Sequence, residues 1–388
     1  MTDLAQRTQL VDLGLPAPFD LGEVDDTPDV VVDLGRLDAN IARAAALTAA
    51  HGLDLRPHIK THKILQIASR QIEAGAIGIQ VAKLAEAEVF ARAGVANIFI
   101  GYPLVGPRKI ARLIELLEET DTTISLATDS LEVAVPIAKA AADAGRTLRM
   151  SIEVDTGLRR LGVLPGQPAV ELAKHLADLD GIELVGLFTH EGHVYTQADS
   201  TEAKREMTRV ACAEIVETAE AIHASGISLA TVSVGSSGTF RFAVECPGVT
   251  EVRPGTYVFN DLTQLLQGSA TSADLAAFVV ATVVGRPEAT RAVIDAGSKV
   301  LTSDRLIASG PSNTFGAVVG RPGAYVTRLS EEHGLLELPS GTDIRIGERI
   351  AIVPNHICPV INLTDSVAVI ADGVFAERWA VAARGRVQ

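Results

Sequence analysis

Leu53-Asp-Leu-Arg-Pro-His-Ile-Lys-Thr-His-Lys63 reads as an apolar-edged strand candidate, Leu53 to Ile59, that runs straight into two lysines and a histidine. A strand ending in a charged loop is one beat of a βα unit, and the beat repeats along the chain. Seven further short β-branched segments follow: Ile77 to Ala82, Asn97 to Gly101, Thr123 to Ala127, Leu148 to Val154, Glu183 to Thr189, Ala230 to Val234 and Glu251 to Phe259. Amphipathic stretches at helical spacing lie between them, as in Leu84 to Ala93, Ile110 to Glu119 and Ala203 to Ala224. Eight such units predict a closed, TIM-like (β/α)8 barrel.

After about residue 270 the texture changes to strand candidates without intervening helices: Ala277 to Val284, Ala292 to Asp295, Ala324 to Leu329, Arg349 to Val353 and Val367 to Ala371. A second, β-rich C-terminal domain is expected there. The division runs as a lead segment over 1–27, a barrel over 28–268 and a β-rich domain over 269–388, with the early strand Asp29 to Asp33 free to join the latter.

At 388 residues and 47% hydrophobic composition the chain can bury both cores. A formal net charge of -14 argues against nucleic acid and anionic membrane, which need a basic surface. A small-molecule partner is the expectation. Cys212, Cys246 and Cys358 are widely spaced, and the first 18 residues are mixed and polar, which suits a reducing cytoplasm. No apolar run approaches the roughly 20 residues of a membrane span.

Barrel enzymes carry their chemistry at the carboxyl ends of the strands. Lys60 follows the first strand, Arg160 the fifth, His190 and His193 the sixth, and Gly235 to Thr239 the seventh, while Tyr257 lies late in the eighth. An imine-forming lysine must lose its proton, which burial and cationic neighbours promote, and His58, His62 and Lys63 flank Lys60. The ordinary alternative is a pair of surface lysines in a turn, and Lys63 competes with Lys60 for the role.

Gly235-Ser236-Ser237-Gly238-Thr239 offers close-set backbone N–H groups and three hydroxyls, enough to wrap a phosphate dianion, although such loops are often only loops. His193 and Tyr195 share a face if their segment is extended and suit proton transfer; a structural histidine is the alternative. His356 and Cys358 alternate, so on an extended segment both project to one side, and imidazole plus thiolate suits zinc.

Taken with Asp155-Thr-Gly-Leu-Arg-Arg-Leu-Gly162, Arg253-Pro-Gly-Thr-Tyr257 and Pro354-Asn-His-Ile-Cys358, these motifs resemble the D-threonine aldolase and D-serine dehydratase family. Members are pyridoxal phosphate (PLP) enzymes with an alanine racemase-like barrel, and the resemblance runs from about Thr27 to the C-terminus. It implies Lys60 as the cofactor lysine, Arg160 beside the cofactor ring, Tyr257 at the phosphate, and an open divalent metal site on His356 and Cys358. Zinc is the expected ion and manganese the other. It also implies that the N-terminal strand joins the β domain, and a homodimer in which a partner's residues, some from Ser312 to Gly316, contribute to the site.

Such an enzyme acts on D-3-hydroxy amino acids. Dehydratases of the family tend to carry His-x-Cys at the metal and the well-known aldolases His-x-Asp, so Cys358 favours β-elimination to a 2-oxo acid and ammonia. Retro-aldol cleavage to glycine and an aldehyde is the alternative. A racemase would use the same Lys60 but has no need of a metal pair, and non-catalytic PLP-carrying barrels lack the extra β domain.

Overall fold

The structure is a computed structural model that describes residues 20–306 and 314–388. Most of the lead segment, and Ser312 and Asn313 of the segment expected from a partner, lie outside the described residues. The chain forms two units: one takes 43–60, 67–255 and 386–388, the other 1–42, 61–66 and 256–385.

The first unit is the barrel. Its strands are β2 (Asp54–Leu55), β3 (Ile79–Val81), β4 (Asn97–Ile100), β5 (Thr123–Thr128), β6 (Leu148–Glu153), β7 (Ile182–Phe188), β8 (Thr231–Val234) and β9 (Glu251–Val252), β1 belonging to the other unit. They are parallel in the order β2-β9-β8-β7-β6-β5-β4-β3. The ring closes where the Gln80 N–H donates to the Pro57 carbonyl at 2.8 Å and His58 bridges Gln80.

Ile98, Phe99, Ile100, Leu126 and Ile152 are buried, as strands covered on both faces require. The interior also carries charge that the strand pattern did not announce. Arg56 Nε donates to Glu251 at 2.8 Å, Ser233 Oγ donates to Glu251 at 2.6 Å, and Arg253 Nε donates to Ser233 Oγ at 2.7 Å. A buried charge unpaired costs several kcal/mol, so this chain of partners, through Glu251 of β9 and Ser233 of β8, is what lets Arg56 and Arg253 be buried directly after β2 and β9.

The second unit holds β1 (Asp29–Asp33), β10 (Ala277–Glu288), β11 (Arg291–Ile294), β12 (Gly316–Val318), β13 (Tyr325–Leu329), β14 (Gly334–Glu337), β15 (Arg349–Pro354), β16 (Ser366–Ala371) and β17 (Val374–Ala380). The order β11-β14-β13-β12-β15-β10 closes on a further β10–β11 pairing into an antiparallel barrel, extended from β10 by β1, β16 and β17. Irregular register around Gly285 lets the 12-residue β10 bend between its partners. As expected, β1 pairs here, antiparallel to β10 and parallel to β16.

The two units divide at Gly255/Thr256, and Leu262, Leu265 and Leu266 pack with Phe278, Val280 and Val353 in the core of this one. The expected eighth strand, Glu251 to Phe259, is correspondingly short. Pro254 and Gly255 end it, and Thr256–Val258 is a 3-10 turn. Among the described residues no helix is long and apolar enough to cross a membrane.

Candidate active site

Lys60 stands in the 3-10 turn Ile59–Thr61, with Ile59 fully buried beneath it and its own side chain exposed. Its N–H lies 3.4 Å from His58 Nδ1, and the His58 N–H donates to the Pro254 carbonyl at 3.0 Å, so strand β2 delivers the turn to a fixed place. Burial, then the charges of Lys60 and Arg253, hold His58 well below the usual imidazole range. The same causes, with Arg160, push His190 down to about 3. Both imidazoles are therefore neutral.

His58 is thus not a cationic neighbour, and His62 and Lys63 belong to the C-terminal unit. The cations that act on this cluster are Arg253 and Arg160. Arg253 was quoted within a motif but given no role. Fully enclosed, it lies 5.1 Å over the Phe188 ring and donates to Gln80 Oε1 at 3.2 Å and to the Thr189 carbonyl.

The loop Gly235 to Thr239 is buried throughout. Gly235 N–H donates to Glu191 Oε2 at 3.1 Å, Gly238 N–H to the Tyr195 hydroxyl at 2.6 Å, and Thr239 Oγ1 to Glu191 Oε1 at 2.5 Å. Ser236 Oγ lies 2.7 Å from Thr239 Oγ1, and Ser237 Oγ accepts from Gly255 N–H at 3.1 Å. Gly235 has φ +123°, and a Cβ on Gly238 would fall 2.3 Å from Tyr195 Cε1. Both glycines are required by the loop itself. Glu191, which staples its two ends, went unnoticed because a lone glutamate between two histidines carries no pattern.

Residues 191–197 are turns and a short helix, Val194–Gln197, so His193 and Tyr195 do not share a face as an extended chain would place them. Tyr195 reaches the Gly238 loop. Buried His193 packs on Gly157, where a Cβ would lie 3.0 Å from Nε2, and its Nδ1 has no hydrogen-bond partner. In the Asp155 loop, Asp155 Oδ1 accepts from the N–H groups of Gly157 and Arg159 at 3.0 Å each. Arg160 is exposed, 3.9 Å from buried Glu153, whose carboxyl burial raises above its ordinary value.

In the C-terminal unit Tyr257 is buried in its 3-10 turn. His356 caps, and Cys358 is the second residue of, the helix Ile357–Leu363, so the pair meets across a helix start and not along a strand. They are hydrogen-bonded to each other. His356 Nδ1 sits 2.8 Å from Asp304 Oδ2, and Cys358 Sγ lies 3.3 Å from Thr61 Oγ1 and 3.6 Å from Thr256 Oγ1. Burial opposes charge on His356, but Cys358, Asp261 and Asp304 raise it to about 10. Burial raises the Cys358 thiol, yet His356 and Thr61 bring it below its ordinary value. The Ile357 N–H donates to buried Asp261 at 3.2 Å, which fixes the backbone between the pair.

Residues 32–262 match the family described as alanine racemase, N-terminal domain, and residues 276–370 the putative serine dehydratase domain. D-threonine aldolase of an Arthrobacter species is 32% identical over 96% of this chain and 97% of its own. The chain belongs to the fold-type III PLP-dependent lyases. Another such relative, D-threo-3-hydroxyaspartate dehydratase of a Delftia species, is 36% identical over 86% of this chain and 91% of its own. The crystal structure of D-threonine aldolase from Filomicrobium marinum superposes with a TM-score of 0.86 at 32% identity, covering 94% of this chain and 97% of that one. Alanine racemase of Clostridium difficile, at 15% identity and TM-score 0.67, shares the fold.

The barrel's residues fit the cofactor of these lyases. A turn lysine among neutral imidazoles and the unsatisfied buried Nδ1 of His193 suit a phosphate-bearing aldehyde, while the Gly235, Gly238 and Thr239 donors are already spent on Glu191 and Tyr195. The cysteine sulfur and histidine ring of the C-terminal unit, in contact with each other, are donor types that suit a borderline-soft divalent cation, which would displace their protons. Among the described residues they belong to no ready-made group of three or more His, Cys, Asp or Glu ligands.

Proposed function

We propose that this lyase acts on D-3-hydroxy amino acids and removes the β-hydroxyl, releasing a 2-oxo acid and ammonia. The observation that carries this reading is the paired donor set of His356 and Cys358, with thiolate where the well-known aldolases have a carboxylate. The Delftia relative supports it: that protein is a dehydratase, and it has been solved as a cysteine-to-alanine variant in a metal-free form.

PLP held by Lys60 supplies an electron sink for the bonds at the substrate's α carbon. The loop from Gly235 to Thr239 and Tyr257 would hold its phosphate, and Arg160 would lie beside its ring. Lys60 would take the α proton; His58 and His190, being neutral, leave it the basic group of that cluster. His193 and Tyr195 serve the site as proton donor and loop anchor.

His356 and Cys358 would hold a divalent ion, zinc or manganese, as a Lewis acid that eases departure of hydroxide. We further propose a homodimer, as in alanine racemase-like folds.

The second reading, retro-aldol cleavage to glycine and an aldehyde, is favoured by the aldolase relatives that span nearly the whole chain. Chromatography of the products from D-threonine, with PLP and zinc present, separates the two. 2-Oxobutanoate and ammonia are expected; glycine and acetaldehyde would establish the aldolase.

A further inference from the structure

The carboxylate of Asp304 stands outside every motif of the chain, on the segment after the short helix Ser298–Leu301, yet it reaches the imidazole of His356. Its Oδ2 lies 2.8 Å from Nδ1. As a stabilising ion pair this contact is worth little, because Asp304 and His356 keep 47% and 35% of their side-chain surface exposed. As an orienting contact it is decisive. A proton on Nδ1 that donates to the carboxylate stops the ring from flipping and leaves Nε2 to bind an ion once an incoming cation displaces the proton there.

The sulfur is held from the other side. Cys358 Sγ donates to Thr61 Oγ1 at 3.3 Å and lies 3.6 Å from Thr256 Oγ1; once an ion displaces the thiol proton, both hydroxyls can turn to donate to the sulfur and leave the rest of its lone-pair space directed at His356. Between them the backbone is pinned, through the Ile357 N–H, to Asp261. A site with two protein donors, joined by no third His, Cys, Asp or Glu ligand among the described residues, depends on such outer contacts to keep the ring from rotating.

We infer that Asp304 and Thr61 are positioning residues for a divalent-cation site on His356 Nε2 and Cys358 Sγ. The inference rests on the metal reading proposed above. It predicts that Asp304→Leu and Thr61→Val each weaken zinc binding by about 10- to 100-fold, the usual cost of losing an outer contact. Thr61→Ser, which keeps the hydroxyl, restores the affinity, and Asp304→Asn, which keeps an acceptor oxygen, falls between.

The experiment is competition for Zn2+ between the PLP-loaded protein and a chromogenic chelator, with circular dichroism confirming that each variant is folded. The expected series is unaltered protein and Thr61→Ser tightest, Asp304→Leu and Thr61→Val weaker, His356→Ala weakest. If Asp304→Leu and Thr61→Val hold zinc as tightly as the unaltered protein while His356→Ala does not, the positioning role is overturned and the metal reading stands. If His356→Ala binds as the unaltered protein does, both are overturned.

Discussion

Lys63 Nζ lies 2.8 Å from Asn362 Oδ1, and the Lys63 carbonyl accepts from Ala383 N–H at 3.2 Å. These bonds give the second lysine of the Arg56 to Lys63 segment a structural task within the C-terminal unit, at a backbone φ of +55°. Lys60, three residues earlier, is exposed on the barrel turn, and it is the amine proposed above for the chemistry.

Lys60→Ala is accordingly expected to lose the borohydride-reducible cofactor linkage and its visible absorbance. Lys63→Met keeps both but lowers stability by about 1–3 kcal/mol, the cost of a broken buried hydrogen bond. Reducible cofactor persisting in Lys60→Ala would reverse the assignment.

Cys358→Ala should retain bound cofactor and lose both zinc and turnover, by more than the about 10- to 100-fold expected of an indirect partner. Atomic absorption and steady-state kinetics on the same preparation check it. Full turnover after exhaustive chelation would remove the metal from the account.

Gly238→Ala places a Cβ 2.3 Å from Tyr195 Cε1, so the loop must move or the tyrosine must leave. Overpacking of this kind costs about 1–3 kcal/mol, and cofactor affinity should fall with it, measured by fluorescence titration. Tyr195→Ala in the same chain relieves the clash. The double variant should therefore be more stable than Gly238→Ala alone, and a simple sum of the two single effects would show that the loop does not depend on that contact.

His190 is held to about 3 in the folded protein against an ordinary 6.5, with burial the leading cause. The unfolded chain therefore binds the extra proton throughout that window and the folded one does not. Stability is full above about pH 6.5 and declines as pH falls towards 3. His190→Gln should flatten this decline in urea midpoints between pH 7 and pH 5; an unchanged slope would mean that the imidazole titrates as if exposed.

Much of this was legible in the sequence because parallel strands buried on both faces need unbroken apolar runs. Seven of the eight barrel strands lie where Ile77 to Val234 and Leu53 to Ile59 place them, though β2 shortens to Asp54–Leu55 around Pro57. The eighth misled because Val258 and Phe259, apolar for the sake of the second unit's core, prolong the run beyond Pro254. β12, β14 and β17 escaped notice: the first two are short and begin at glycine, and β17 buries only Trp379. Lys60, the 235–239 loop and the His356/Cys358 pair stood out because residue type alone limits their chemistry. Glu191, Arg253 and Asp304 did not, since their significance lies in partners 44, 64 and 52 residues away.

The most direct test of the central claim is product analysis with D-threonine and D-3-hydroxyaspartate under PLP and zinc, repeated with the L enantiomers. The account predicts a 2-oxo acid and ammonia from the D substrates alone, lost on replacing Lys60 or Cys358. Racemisation without cleavage, or turnover indifferent to both replacements, would contradict it.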